Sequence, residues 1–422
     1  MKKVLIATYY WPPGSGPGVQ RFLKFARYLR EYGWEPTVLT VENGTYPSID
    51  NTLLKEIPEG VKVIRTKTFE PFSLFNQLTG KDKKKATVGF TGMDNSSWLS
   101  KLALYIRANF FIPDARKGWL PYLKKALNRE MKLQSYDALI TTGPPHSTHL
   151  LGIYAKKKYN LPWVADMRDP WVNVYYNAFF PRKQSTQRKD QALEDLVLKS
   201  ADAVTVVSSG LEEEFKSRAK KIEVIYNGYD EVDMEAKGAK PERNLAYIGN
   251  FKPNQNVNSL WEALGAMENP PNLALTGNID PSILEALKAH GLEEKTQIQG
   301  FVPHHEATQK MRSSACLLFI VPKADGNKSI ITGKLFEYLA SNRPLLAIGP
   351  KDGDAAKIIK EASGQEMFDY SDLDGISEKL NQLFQNFDQG EDLSLPAKGL
   401  EKFSRRGLTR ELSELLNTLT ES

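Results

Sequence analysis

Cysteine is nearly absent from this 422-residue sequence: Cys316 is the only one. A single thiol excludes an intramolecular disulfide framework and a cysteine-based metal site. It sits in the apolar run ACLLFIV and reads as core. Histidine is scarce too, with five residues, and the pairs His304–His305 and His146/His149 bring no carboxylate at metal-ligand spacing. There is no large charge excess. The 56 basic and 51 acidic residues leave a net +5, too balanced to point to nucleic acid, although a local basic face stays open. No apolar run is long enough to span a bilayer. The opening MKKVLIATYYWPP begins like a signal peptide, but its apolar stretch stops at Tyr-Tyr-Trp-Pro-Pro with no small-residue cleavage site. A reducing, cytoplasmic compartment is therefore expected. Repeats and low-complexity tracts are lacking as well.

What is present is an α/β pattern long enough for two or three domains. Residues 4–8 form an apolar strand, 14–18 a glycine loop, 19–32 an amphipathic helix ending at Gly33, and 36–41 a second strand. Further buried strands are expected at 138–141, 163–165 and 203–207. The lysine-rich stretch 81–85 interrupts the pattern and is expected as a mobile loop. After Asn227-Gly228 the pattern restarts. Strands are expected at 245–248, 273–276, 296–299, 316–321 and 345–348, with helices at 282–290, 306–313 and 334–341 between them. Residues 228–243 read as a polar linker, and 403–419 as a final amphipathic helix. The expected domains are 1–230, 231–403 and a terminal helix, 404–422. In such paired α/β domains, ligands lie beyond the carboxyl ends of the strands, usually in a cleft between the domains.

Several segments at those ends carry candidate chemistry. The stretch ITGKLFEYLASNRP at 331–344 sets Lys334 and Glu337 three apart at the start of a helix, with Leu335, Tyr338 and Leu339 available to a core. A helix start and an ammonium group suit a phosphate, and a carboxylate suits sugar hydroxyls. The alternative is an ordinary surface ion pair. The glycine loop GSGPG at 14–18 could approach an anion through its backbone or be a plain turn; Val19 in place of a third glycine excludes a dinucleotide fingerprint. His146, in Gly143-Pro144-Pro145-His146-Ser147, could bond a hydroxyl or phosphate, or cap a turn. Asp166 and Asp169 flank Arg168; either acid could take a proton or hold an acceptor hydroxyl, or all three could form a structural ion network. Lys252 follows the turn at Gly249, placed to reach a diphosphate or to be a surface lysine. Phe301 and Val302 could pack on a nucleobase or simply in the core. Residues 98–132 mix aromatic and basic side chains, with Asp114 and Trp119 between two helices. They fit a helix pair with solvated lysines, or peripheral contact with an anionic membrane surface or lipid-linked substrate.

These segments in this order resemble the family-4 glycosyltransferases. The resemblance runs over nearly the whole chain: Tyr9-Tyr10-Trp11-Pro12-Pro13 with Gly16 and Gly18, Gly143-Pro144-Pro145-His146, residues 166–171, VIYNGYD at 224–230, Tyr247-Ile248-Gly249 and residues 333–344. Phe403-Ser404-Arg405-Arg406 before a helix is similar to the family's tail, which crosses back to the first domain. The resemblance implies a GT-B fold of two Rossmann-like domains facing across a cleft. It also implies retaining, metal-independent transfer of a sugar from a nucleotide diphosphosugar, with UDP favoured. Glu337 stands at the ribose-binding position, Gly16 and Gly18 at the donor-phosphate loop, and His146 at the position near the transferred sugar. Basic side chains and helix N-termini would stabilise the leaving diphosphate without a cofactor.

The chain departs from the family pattern at four places. Ser329 replaces the first glutamate of the Glu-x7-Glu pair, Asn250 the arginine after the glycine turn, Gln255 the following lysine, and Ser15 a common glycine. Lys252 and Lys334 are the substitutes by position for the missing clamp; Asp325 and Asn327 are those for the donor-sugar contact. A branch acting on bacterial surface polysaccharides has a similar Gly/Ser-Lys-Leu-x-Glu-Tyr-Leu-Ala helix. The resulting expectation is a transferase of surface-polysaccharide synthesis. Gly16, Gly18, Lys252, Phe301, Val302, Ser329, Lys334, Leu335 and Glu337 are expected to serve the donor, and His146, Asp166 and Asp169 to be the catalytic residues beside the acceptor, a glycan or lipid-linked molecule. Nucleic acid is not an expected partner. The rival readings are a nucleotide-sugar epimerase and a non-catalytic sugar- or nucleotide-binding protein.

Overall fold

The computed structural model describes residues 1–70, 98–174, 177, 180–234, 240–395 and 398–421. The expected loop at 81–85 lies outside them. The chain forms two compact units, one of Met1–Asn227 with Arg405–Ser422 and one of Gly228–Ser404.

The first unit is built on seven strands: β1 (Lys2–Ala7), β2 (Trp34–Val41), β3 (Lys62–Thr66), β4 (Ala138–Gly143), β5 (Trp163–Met167), β6 (Ala203–Val206) and β7 (Ile222–Val224). They lie in the order β3-β2-β1-β4-β5-β6-β7, every pair parallel. Both faces of a parallel sheet are covered, so its inner strands read as unbroken apolar runs. In β1, Leu5 and Ala7 enter one core with Leu39, Leu139 and Ala165; Val4 and Ile6 enter the other with Val38, Ile140 and Val164. Pro36 fits inside β2 because pairing with β3 begins only at Thr37, so its missing N–H costs no ladder bond there.

Helices α1 (Pro17–Tyr28), α2 (Trp98–Phe110), α3 (Leu120–Leu133), α4 (His149–Tyr159), α5 (Gln184–Ser200) and α6 (Ser209–Phe215) belong to this unit. Proline at the first position of α1 follows Gly16, whose φ of 119° is a conformation that favours glycine. A 3-10 turn extends α1 to Gly33, as the sequence predicted. Strands β3 and β7 were not predicted. Both are sheet edges, short and only partly buried, so they lack the apolar run that marks the inner strands.

The second unit carries α7 (Glu231–Met234), β8 (Glu242–Ile248), α8 (Asn258–Gly265), β9 (Asn272–Thr276), α9 (Pro281–Ala289), β10 (Thr296–Gln299), α10 (His304–Arg312), β11 (Ser314–Ile320), α11 (Lys334–Ala340), β12 (Leu345–Ile348), α12 (Asp354–Ser363), β13 (Met367–Phe368) and α13 (Leu373–Asp388). Its parallel sheet runs β10-β9-β8-β11-β12-β13 around a core of Leu245, Leu275, Leu318, Leu346 and Phe384. The terminal helix α14 (Arg405–Thr420) returns to the first unit, where Leu408, Leu412, Leu415 and Leu416 pack with Phe22, Phe25 and Trp34.

Each sheet reverses direction of winding once. In the first unit β1 lies between β2 and β4; in the second β8 lies between β9 and β11. Within each unit, the loops leaving the two strands at the switch, β1 and β4 in the first and β8 and β11 in the second, therefore lie at carboxyl ends, where open α/β sheets bind ligands.

Candidate functional site

In the second unit the switch point is organised by Gly249. With φ at 126° and no side chain, it leaves room for Lys334: a Cβ there would lie 2.6 Å from Cε and 2.7 Å from Nζ. The Lys334 ammonium donates to Tyr247 Oη at 2.9 Å and stands 4.0 Å from the centroid of that ring. Burial and the nearby Lys252 ammonium push Lys334 down to about 7, against the pull of Glu337 in the other direction. Part of the side chain still meets solvent. Near neutrality it is therefore poised to gain a proton when an anion arrives.

Helix α11 is held from its other face. Ile248 N donates to Tyr338 Oη at 2.9 Å, tying the helix to the end of β8, and Leu335, Phe336 and Leu339 are buried. Leu335 has no exposed side chain, and its N–H donates to Thr332 O at 3.1 Å. Glu337 lies on the Lys334 side, its Oε1 3.9 Å from His304 Nε2, which also meets Asp233 Oδ2 at 3.0 Å. Thus Lys334, Glu337, Gly249, Tyr247 and Lys252 assemble, with an aromatic hydroxyl and His304 that sequence reasoning did not select.

The departures from the family pattern acquire physical reasons. Gln255 is buried: its Oε1 accepts from Tyr247 Oη at 3.1 Å and Lys252 N at 3.2 Å, and its Nε2 donates to Ile320 O at 2.8 Å. A neutral amide satisfies a donor pair and an acceptor there; an ammonium could not. Asn250 and Lys252 are both exposed. Ser329 ends a half-buried 3-10 turn. The Asn327 amide is used within the protein, donating to Pro322 O and Tyr370 Oη, whereas Asp325 is exposed. Phe301 presents its ring to solvent, and Val302 is buried.

In the first unit, the loops after β1, β4 and β5 form a second cluster. Asp166 is buried and fully occupied. Its Oδ1 accepts from Arg21 at 2.7 Å and Thr205 at 2.9 Å, and its Oδ2 from Thr142 at 2.8 Å. Arg21 also donates to the carbonyls of Ile225 and Tyr226. Arg168 donates to Thr142 Oγ1 at 3.0 Å and Pro144 O at 2.9 Å. Both Asp166 and Arg168 are thus parts of a buried network. Asp169 points outward, and crowding raises its carboxyl above the usual value against the opposing pull of Arg168. Gly16 has open space around it, whereas Gly18 faces Arg168.

His146 is buried face to face with Trp171, 4.9 Å between ring centroids and 10° between planes. Burial, His149 and Arg168 hold it well below the ordinary histidine value, so it is neutral. His149 is pushed down to about 3, first by burial. Its Nδ1 meets Thr141 Oγ1 at 2.8 Å, but its Nε2 and both nitrogens of His146 lack a hydrogen bond of regular geometry. His146 Nδ1 and His149 Nε2 both approach the bare Cα of Gly143: a Cβ there would lie 2.8 Å and 2.6 Å from them. Asp114 secures the loop by accepting from Ser147 N at 2.7 Å and Ser147 Oγ at 2.8 Å. Beside it, Arg116 pairs with Glu70, which also accepts from Tyr9. His149 and Asp114 had a signal in the sequence; His149 finds its partner Thr141 eight residues back on β4, whereas Asp114 meets Ser147 from a separate segment. Among the described residues, no three His, Cys, Asp or Glu side chains are grouped as a metal site requires.

Residues 91–232 match Glycosyltransferase Family 4. No curated protein matches the sequence. Among solved structures, the chain is similar to HepE of Anabaena in complex with UDP, at 14% identity and a TM-score of 0.57, covering 100% of this chain and 98% of that one. It is similar to a mutant of TarM from S. aureus in complex with fondaparinux, alpha-GlcNAc-glycerol and UDP, at 12% identity and a TM-score of 0.60, covering both chains fully at 100%. A putative UDP-N-acetylglucosamine 2-epimerase from Listeria monocytogenes is similar at 11% identity and a TM-score of 0.52, covering 100% of this chain and 97% of that one. These likenesses establish the fold, an α/β GT-B fold of two Rossmann-like units.

Proposed function

We propose that this protein is a glycosyltransferase that moves a sugar from a nucleotide diphosphosugar to a glycan or lipid-linked acceptor, with retention at the anomeric carbon and without a metal. The observation that carries the reading is the cluster at the end of β8. The Lys334 ammonium is packed against Gly249 and Tyr247, with Lys252 near, so one point gathers positive charge for a diphosphate. Glu337 supplies a carboxylate for ribose hydroxyls three residues along the same helix. UDP is the favoured nucleotide because HepE and TarM were both seen with it. The match to Glycosyltransferase Family 4 over 91–232 supports the same class.

In the first unit, His146 serves the acceptor side. Held neutral, it can accept or donate one hydrogen bond to a sugar hydroxyl without adding charge. Asp169 is the acid open to an incoming hydroxyl, and Asp166 keeps the loop in place through Arg21 and Thr142. The biological role proposed is surface-polysaccharide synthesis on the cytoplasmic side.

Calorimetry with UDP-, GDP- and ADP-sugars tests the donor site: Glu337→Ala and Lys334→Ala should each weaken binding about tenfold or more. Unchanged affinity in both would overturn the assignment. The epimerase reading shares this fold. It requires an isomerised nucleotide sugar from donor alone, whereas the transferase releases nucleotide only with an acceptor. A binding protein releases none under either condition.

A further inference from the structure

The pair α2 and α3 holds an unusual concentration of charge. Residues 98–133 contain eight basic and two acidic side chains, a net +6, against +5 for the whole chain. Neither acid faces outward as a counter-charge: Glu130 is buried against Lys62 and Tyr136, and Asp114 caps Ser147. The remainder of the sequence is nearly neutral in sum, so this region accounts for the chain's net positive charge.

The same two helices display apolar side chains to solvent. On α2, Trp98 is 70% exposed and Phe110 64%, with Leu102 and Ile106 exposed between them. Steps of four residues keep these side chains along one side of a helix. The helix is attached by its other side: Ala108 is buried, and the Asn109 side chain donates to Pro181 O and accepts from Lys183 N and Thr186 Oγ1. Exposure of the apolar row is therefore not the result of a loosely attached element. At its end, Lys117 donates to Phe110 O at 2.6 Å, and the backbone of Phe69, another exposed aromatic, abuts Gly118. On α3 the exposed positions Tyr122, Lys125, Arg129 and Lys132 follow helical spacing and make a basic face.

We propose that α2 and α3 form a peripheral docking surface for an anionic lipid bilayer. The apolar row of α2 would enter the boundary between headgroups and acyl chains, and the basic residues of α2 and α3 would meet anionic headgroups. Large apolar side chains beside exposed lysines, Lys101 on α2 and Lys125 and Lys132 on α3, fit that interface; a protein partner of ordinary composition would leave that charge unmatched. Among the described residues no helix is long and apolar enough to cross a membrane, so the attachment proposed is to one leaflet. The inference does not depend on the chemistry of the β8 cluster.

Co-sedimentation of the full chain with vesicles tests it. The protein should pellet with phosphatidylcholine vesicles containing about 30% phosphatidylglycerol, remain in solution with phosphatidylcholine alone, and be released by about 0.5 M salt. The double variant Leu102→Glu/Ile106→Glu, and separately Lys125→Glu/Arg129→Glu, should lower the bound fraction about tenfold without moving the thermal midpoint. Wild-type protein that ignores anionic vesicles, or an apolar-row variant that still binds them, overturns the proposal. So does a dimer that Leu102→Glu/Ile106→Glu dissolves while vesicle binding is absent, since a second copy would then be what covers the face.

Discussion

The Arg168 guanidinium occupies the space in which Gly18 has no side chain: a Cβ on Gly18 would lie 1.9 Å from Arg168 Nη1. From there Arg168 reaches Thr142 and the carbonyl of Pro144, immediately before the His146 turn. Gly18→Ala should therefore disturb a loop it does not touch in sequence. The expected loss is about 1–3 kcal/mol in urea unfolding. Arg168→Ala combined with Gly18→Ala should cost less than the sum of the two, because the first change removes the clash made by the second.

Asp166 and Arg21 make a buried ion pair at 2.7 Å. Removing one partner leaves the other charge without compensation. Asp166→Ala is expected to destabilise the protein by about 3–5 kcal/mol, measured by denaturant titration. Asp169→Ala, on an exposed side chain, should change stability by no more than about 0.5 kcal/mol. An acceptor-side defect in Asp169→Ala would then be separable from misfolding.

Lys334 gives the donor site a pH dependence of known sign. Its value is lowered from 10.5 to about 7, so the free protein loses this charge as pH rises through neutrality. A bound diphosphate favours the ammonium. Binding of a UDP-sugar at pH 8 should therefore take up a proton, and affinity should fall by up to about tenfold per pH unit above 7. At pH 6 the uptake should vanish. Calorimetry in buffers of different ionisation enthalpy reads it directly, and Lys334→Arg should abolish the dependence while keeping charge.

Gln255 stands where the resembling family has lysine, and restoring that lysine should fail. Its amide serves Tyr247 Oη, Lys252 N and Ile320 O, inside the protein. Gln255→Lys would bury an ammonium and orphan these groups. A loss of about 2 kcal/mol or more is expected, with no gain in donor affinity by calorimetry.

How far the sequence reveals this arrangement depends on the distance between partners. The runs VLIA, ALITTG and LLAI announce inner strands because both faces of a parallel sheet are covered. The short edges β3, β7 and β13 carry no such signature. Lys334 and Glu337 are visible as a pair because helical spacing is local. That Gly249 and Tyr247 receive the Lys334 side chain is not visible, since nothing local couples β8 to α11. Arg21 is similar: in the sequence it appears as a charge in a helix, and only the fold buries it and supplies Asp166. For Leu335, spacing pointed correctly to the core alternative within the motif.

The return of α14 to the first unit has a consequence for how the chain is made. The second unit, Gly228–Ser404, is continuous and can close its core without α14. The first unit cannot. Leu408, Leu412, Leu415 and Leu416 cover Phe22 and Phe25 only after α14 emerges. Until then an apolar surface near the amino terminus waits open, so the half synthesised first is finished last. A stop codon just before Arg405 should accordingly yield aggregation-prone protein whose second unit is nonetheless folded and protease-resistant.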